Sequence, residues 1–250
     1  MRIENPQPHH IPALRSLWQE AFGDTEEFLD VFFSKAFSPD RCRCVLEEDT
    51  PLAALYWFDE TCRGQPVAYL YAVATRKAYR GRGLCRELLT HTHQDLAGLG
   101  YAGALLVPAN EDLARMYRKL GYGFFGGVAD IPASAGSPVP LWRISPEEFH
   151  RRREALLPEG GVSLEPKYLS FLETQGELYA GEDFLLTVQW EEGIPVGIEL
   201  LGNAAAAPGI VAALGAEAGT FRTPGTGKTF AMYHSLNESP PPSYFGLGFQ

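Results

Sequence analysis

The sequence predicts a mixed α/β fold of the α+β kind, with one larger and one smaller lobe. Three observations lead there. Amphipathic helical stretches near the N-terminus give way to strand-like runs. Residues 67–121 then read as strand, basic glycine loop, helix, strand and helix. A small, Pro-rich stretch at 129–140 separates these from a second set of helices and hairpin strands. With 250 residues and 45% hydrophobic content, the chain has enough apolar side chain to bury a core.

In chain order, residues 9–22 carry Ile11, Leu14, Trp18 and Phe22 on one side with Pro12 in the first turn, which predicts a helix. Asp24, with Glu27 three residues on, is expected to cap a second helix lined by Phe28, Phe32 and Ala36. Residues 41–47 and 52–58 are strand-like and joined by the acidic turn 48–51, which predicts a hairpin. Val67–Thr75 is nearly continuous in apolar and small residues, as an interior strand should be, and Tyr101–Pro108 repeats that character. Phe124 and Phe125 are expected to close the first lobe. Residues 128–144 read as linker, and residues 145–250 as a second lobe with helices at 145–156 and 167–175 and a hairpin at 184–201.

The densest chemistry lies in Arg80-Gly81-Arg82-Gly83-Leu84-Cys85. Two glycines take positive φ cheaply and let consecutive amides converge on one anion. The helix starting near Leu84 adds its unpaired N-terminal amides and positive dipole end. From Arg76 to Arg86 there are five basic residues (Arg76, Lys77, Arg80, Arg82, Arg86) and no acidic one, so a polyphosphate would be drawn there; a glycine turn with a solvated basic rim is the alternative. The spacing is neither the dinucleotide G-x-G-x-x-G nor a P-loop. Downstream, Asn110 is a good N-cap, and Leu113, Met116, Tyr117 and Leu120 form the buried stripe of a helix ending at Gly121. From the residues alone, Tyr117 is a core aromatic.

Together these stretches resemble the acetyl-CoA site of the GNAT superfamily of N-acetyltransferases, whose loop is written Q/R-x-x-G-x-G/A. Arg80, Gly83 and Cys85 fall on its defined positions, with Cys85 a departure where Gly or Ala is usual. The resemblance covers residues 1–126 firmly and the remainder loosely, in the manner of a two-lobed bacterial branch. It implies a central, mostly antiparallel sheet flanked by helices, residues 1–127 as the acetyltransferase domain, and 145–250 as a lobe that is a degenerate copy of the same fold. It implies acetyl-CoA as co-substrate, with Gly81, Arg82, Gly83, Leu84, Cys85 and Arg86 around the pyrophosphate and Val73, Ala74 and Thr75 beside the thioester. Asn110 would contact the CoA arm and Tyr117 would protonate the departing thiolate. The implied reaction is acetyl transfer to a primary amine, small molecule or peptide, by direct attack; a catalytically silent acyl-CoA-binding module is the alternative. The strand leading into the loop lacks the glutamate base of some relatives, which leaves Glu47, Glu48, a water chain or the terminal carboxylate of Gln250.

Two further patterns bear on the second lobe. Val45–Leu55 and Gln189–Glu199 share Glu-Glu-x-x-Pro, a faint internal repeat, while Gly202–Leu214 holds no basic residue where a copied cradle would lie. Residues 221–229 imitate a P-loop, but its first glycine falls on Arg222 and strand character follows, so a glycine hairpin turn suffices.

Charge and cysteines bound the partners. The net charge of −10 argues against nucleic acid; residues 1–126 carry a net of −2 and residues 127–250 a net of −8, which would favour a cationic amine. No run approaches the ~20 apolar residues of a membrane span, and MRIENPQPHH has no apolar signal core, so a cytoplasmic location is expected. Cys42, Cys44, Cys62 and Cys85 lack the further ligands of a metal site and are expected to be reduced thiols, with no metal required. The sequence leaves open whether copies associate into a homo-oligomer.

Overall fold

The structure, a computed structural model, describes residues 1–248. The first part of the chain runs β1 (Arg2–Glu4), α1 (Ile11–Phe22), α2 (Glu26–Val31), β2 (Cys42–Glu47), β3 (Thr50–Cys62), β4 (Gln65–Thr75), α3 (Leu84–Gly98), β5 (Gly103–Leu106), α4 (Glu111–Arg118) and β6 (Gly123–Phe125). The rest runs β7 (Val128–Ser134), β8 (Trp142–Arg143), α5 (Pro146–Leu156), β9 (Val162–Leu164), α6 (Pro166–Leu172), β10 (Glu177–Ala180), β11 (Phe184–Glu191), β12 (Ile194–Gly202), α7 (Ala207–Ala213), β13 (Ala218–Pro224) and β14 (Ala231–Ser235).

These strands form two sheets. The first has eight, in the order β1-β2-β3-β4-β5-β14-β6 with β9 added beside β3; the second has six, in the order β7-β13-β12-β11-β10-β8. Both are mostly antiparallel, and each holds one parallel pair joined across a helix, β4–β5 through α3 and β12–β13 through α7. The expected α+β fold with a mostly antiparallel central sheet is what the chain adopts.

Helices pack on both faces of the first sheet. One face is buried under α1, α2 and α6 through Leu14, Trp18, Leu29, Phe32 and Phe171; the other lies under α3 and α4 through Leu84, Leu88, Leu89, Leu96 and Ala114. Cys42 and Cys44, two apart on β2, point into the same buried cluster as free thiols, as strand alternation requires. The second sheet packs α7 through Leu186, Val188, Ile210, Val211 and Phe221.

Several local expectations are corrected. Gly23, at φ 78°, ends α1, and the cap of α2 is Thr25, whose hydroxyl accepts from Phe28 N; the Asp24 carboxylate instead accepts from Trp18 Nε1 at 2.7 Å. The stretch read as linker from residue 128 begins with a seven-residue strand paired along its whole length with Ala218–Pro224. Pro132 does not prevent this pairing, because β7 is the edge of its sheet, where a missing N–H is tolerated. The glycine turn at 225–227 closes no hairpin, because β13 belongs to the second sheet and β14 to the first.

That crossing means that β9 and β14, both from the part of the chain expected to form the second lobe, complete the first sheet. β14 lies between β5 and β6, and its Tyr233 fills the space where a Cβ on Gly103 would sit. The internal repeat also changes register. The shared Glu-Glu-x-x-Pro falls on the β2–β3 turn and the β11–β12 turn. By topology, however, the strand that leads into a helix crossover is β4 in one sheet and β12 in the other, so the β11–β12 hairpin corresponds to β3–β4.

Candidate active site

The site is built where β4 and β5 part. They pair in parallel only over Val67–Tyr69 and Gly103–Leu105, after which β4 continues to Thr75 while β5 ends at Leu106. On β4 the register against β3 slips, with Ala54 opposite Ala74 but Tyr56 opposite Tyr71; Leu55 thus faces two residues, and Ala72 takes φ 50°. Such a bulge bends the strand and re-aims its amides. The result is a V-shaped opening in the middle of the sheet.

Two clefts occupy the opening. One, of about 910 Å³, is lined by Val73, Ala74 and Thr75, by Arg80, Gly81, Gly83, Leu84, Cys85 and Arg86, and by Asn110 and Tyr117. These are the sequence-predicted site residues with one exception. The Arg82 side chain turns away, donating to the Ala78 carbonyl at 3.1 Å and lying over the Tyr79 ring at 4.8 Å.

The loop geometry fits an anion. Gly81 and Gly83 sit at φ 76° and 88°, and a Cβ on either would meet no protein atom within 4 Å, so the backbone conformation, not crowding, calls for glycine. Gly83 is the N-cap of α3 and offers no side-chain cap; the first helical bond is Glu87 N to Gly83 O, at 3.1 Å. The amides of Leu84, Cys85 and Arg86 precede it and have no helical acceptor. Arg80 Nε bonds the Thr75 carbonyl at 3.1 Å, tying the loop to the end of β4. Arg76 is spent structurally on Glu20, Ser16 and the Ala13 carbonyl, which fixes α1 to the same strand end.

Cys85, the residue that departs from the family pattern, packs its side chain against the cluster under α3 and α4, where burial pushes its thiol up to about 11. It is therefore a protonated packing group. Asn110 caps α4, its side-chain oxygen accepting from Leu113 N at 3.0 Å. Tyr117 is buried, 6% exposed, and burial, assisted by Cys85, raises its hydroxyl pKa far above the usual phenol value. A phenol so held stays protonated and able to donate.

The second cleft, of about 430 Å³, is lined by Trp18, Phe22, Asp24, Phe28, Tyr71 and Gln189 among others. It shares Phe22, Val73, Ala109, Leu113 and Tyr117 with the first, so Tyr117 stands at the junction. Phe22 is 47% exposed although it continues the apolar stripe of α1, as fits a residue facing a ligand space. The second sheet closes the cleft through Gln189 on β11, anchored by its Nε2 to the Gln175 carbonyl at 3.0 Å.

Asp24 is the functional candidate that the sequence reading missed, having been taken for a helix cap. The available signal was Phe22-Gly23-Asp24: a glycine C-cap throws the next residue out of the helix, and here the Trp18 indole catches it. Glu47 and Glu48, named as bases, line neither cleft; they sit beside the β2–β3 turn. Gln250 lies outside the described residues.

A family model for the acetyltransferase (GNAT) domain matches residues 2–125. The chain belongs to the GNAT superfamily. Solved GNAT structures share the fold across both sheets. A GCN5-related N-acetyltransferase from Kribbella flavida is 18% identical with a TM-score of 0.72, covering 94% of this chain and 71% of that one. One from Anabaena variabilis is 16% identical with a TM-score of 0.74, covering 94% and 73%. Eis1 from Mycobacterium abscessus is 15% identical with a TM-score of 0.70, covering 95% and 74%. No curated protein matches in sequence. As a GNAT acetyltransferase the chain is an acyltransferase, and GNAT enzymes draw their acyl group from acetyl-CoA. The donor set suits that group: amides at a helix N-terminus for a diphosphate, unpaired strand edge for an amide-bearing arm. Among the described residues, no helix is long and apolar enough to cross a membrane.

Proposed function

We propose that this GNAT protein is an acetyl-CoA-dependent N-acetyltransferase whose acceptor is a small cationic primary amine. The observation that carries the reading is Tyr117 at the meeting point of two clefts of different chemistry, one basic and glycine-lined, the other aromatic and acidic.

In this reading the amides around 81–86 hold the pyrophosphate, and the parted edge of β4 at 73–75 holds the acyl arm, with one strand amide stabilising the negative charge that develops on the carbonyl oxygen. The ammonium group is drawn to Asp24 and to the faces of Trp18, Phe22, Phe28 and Tyr71, a combination suited to a cation. Asp24 accepts the proton that the ammonium must lose before attack, and Tyr117 donates one to the leaving sulfur. Positioning two substrates on either side of one hydroxyl supplies most of the rate enhancement. A volume near 430 Å³ favours small amines over folded protein surfaces.

The test is thiol release from acetyl-CoA over a panel of polyamines, amino sugars and amino acid amides. Tyr117→Phe should lower kcat by about 10²-fold or more with KM for acetyl-CoA within about twofold of wild type. Asp24→Asn should weaken the amine and leave acetyl-CoA binding alone. Full turnover in Tyr117→Phe would remove the hydroxyl from the mechanism, and an unchanged amine KM in Asp24→Asn would remove the acceptor assignment.

A further inference from the structure

A third cleft, of about 630 Å³, shares no lining residue with either of the two described. It opens at an interruption in the sheet. β2 covers the outer edge of β3 from Thr50 to Tyr56, and β9 covers it again from Glu60 to Cys62; between them residues 57–59 have no strand partner on that side among the described residues. A gap of three strand residues is about 10 Å long, room for one or two residues of extended chain. Unpaired strand edge of this kind is a template for main-chain hydrogen bonds.

The walls carry complementary charges. On one rim Arg41 Nε grips both carboxylate oxygens of Asp59 at 2.7 Å, and the Tyr101 hydroxyl donates to the same group, so that pair is satisfied. On the other rim Lys167 is exposed, its ammonium making among the described residues only a long 3.5 Å contact to the Phe37 carbonyl.

Glu60, between the rims, is the unexplained group. It is 0% exposed; one carboxylate oxygen accepts from Glu165 N at 2.6 Å, and the other has no hydrogen-bond partner among the described residues. Buried polar atoms in native proteins are nearly always paired, so an orphaned carboxylate oxygen beside a roomy polar cleft points to a missing donor. Burial raises this carboxyl well above the usual range, which is the cost that an incoming cation would offset.

We propose that this notch binds a small zwitterion, an amino acid or short peptide, with its ammonium on Glu60 and its carboxylate on Lys167. Main-chain groups of residues 57–59 pair with its backbone. The site lies directly behind the amine cleft, since Trp57 and Phe58 pair across the strands with Leu70 and Tyr69, which line that cleft. It is nonetheless a separate site, and it stands whether or not Asp24 binds an acceptor.

Isothermal titration of the full chain with the common L-amino acids and their glycyl dipeptides tests this. At least one compound should bind, with Kd raised tenfold or more by Glu60→Gln and by Lys167→Met, and unchanged by Asp24→Asn. Its N-acetylated form, which lacks the ammonium, should bind at least tenfold more weakly. Should Glu60→Gln fail to fold, the exposed Lys167→Met carries the test alone. Absence of binding across the panel, an unchanged Kd in Lys167→Met, or loss of binding in Asp24→Asn would each overturn the proposal.

Discussion

At the scale of single residues, the site depends on a few atoms held in unusual states by ordinary forces. Tyr117 is kept as a neutral phenol by burial, and Cys85 as a neutral thiol by the same cause. Gly83 is kept in the left-handed region because it must end an irregular loop and start α3 in one step. A side chain there costs about 1–2 kcal/mol of backbone strain, although no neighbouring atom obstructs it. Gly83→Ala is therefore expected to relax the loop away from its convergent amides. Acetyl-CoA affinity, measured by titration, should fall about tenfold while the melting temperature drops by only a few degrees. An unchanged affinity would mean that these amides do not hold the ligand. The residues of this loop were legible in the sequence because glycine spacing and a helix start are local signals. Asp24 was not, because a carboxylate after a helix C-cap reads the same whether it caps the next helix or faces a cleft; the Trp18 indole decides.

At the scale of elements, most helices and strands of the first half were legible from periodicity, and the misses are caps, the edge strand β7, and, further on, α7 and the interior strand β13. The β2–β3 turn illustrates how an element is locked from a distance. Asp49 sits at φ 72° in the turn, and both its oxygens meet imidazoles from the segment before α1: His10 Nε2 at 3.0 Å and His9 Nε2 at 2.8 Å. Gln7 N donates to His10 Nδ1, so neutral His10 carries its proton on Nε2 and donates it to Asp49. The hydrogen bonds from His10 and then His9 lower the Asp49 pKa to about 2, against about 3.9 in an unfolded chain. A depressed carboxylate stabilises the fold above the unfolded pKa and loses that contribution as pH falls through the folded one. The difference in melting temperature between wild type and Asp49→Asn should thus be full at pH 6, shrink below about pH 4, and close near pH 2. A difference that stays constant over that range would mean that the charge does not lock the turn.

At the scale of the whole molecule, the two halves of the chain are not independent. β14 is the neighbour of both β5 and β6, and Phe171 on α6 packs its ring against Phe28, Phe32, Phe58 and Tyr71 across the first sheet. A chain ending at Gly126 would keep every motif of the cradle yet expose the β5 edge and strand β6 of its partner. We expect residues 1–126 alone to show no cooperative thermal transition by circular dichroism, where the full chain shows one. A sharp transition in the fragment would show that β14 and α6 are dispensable to the first sheet.

The sequence by itself determined the glycine loop at the start of α3, the helix carrying Tyr117 and the superfamily. Each is written in residues within a few positions of one another, where φ preference, capping and side-chain period act directly. Tertiary structure alone decided that residues 231–235 fill the first sheet, that Gln189 closes the second cleft, and that residues 57–59 have no strand partner on one side among the described residues. Which strand completes an edge depends on competition among segments more than a hundred residues apart, and backbone hydrogen bonds, being alike for every residue, carry no local record of their partner.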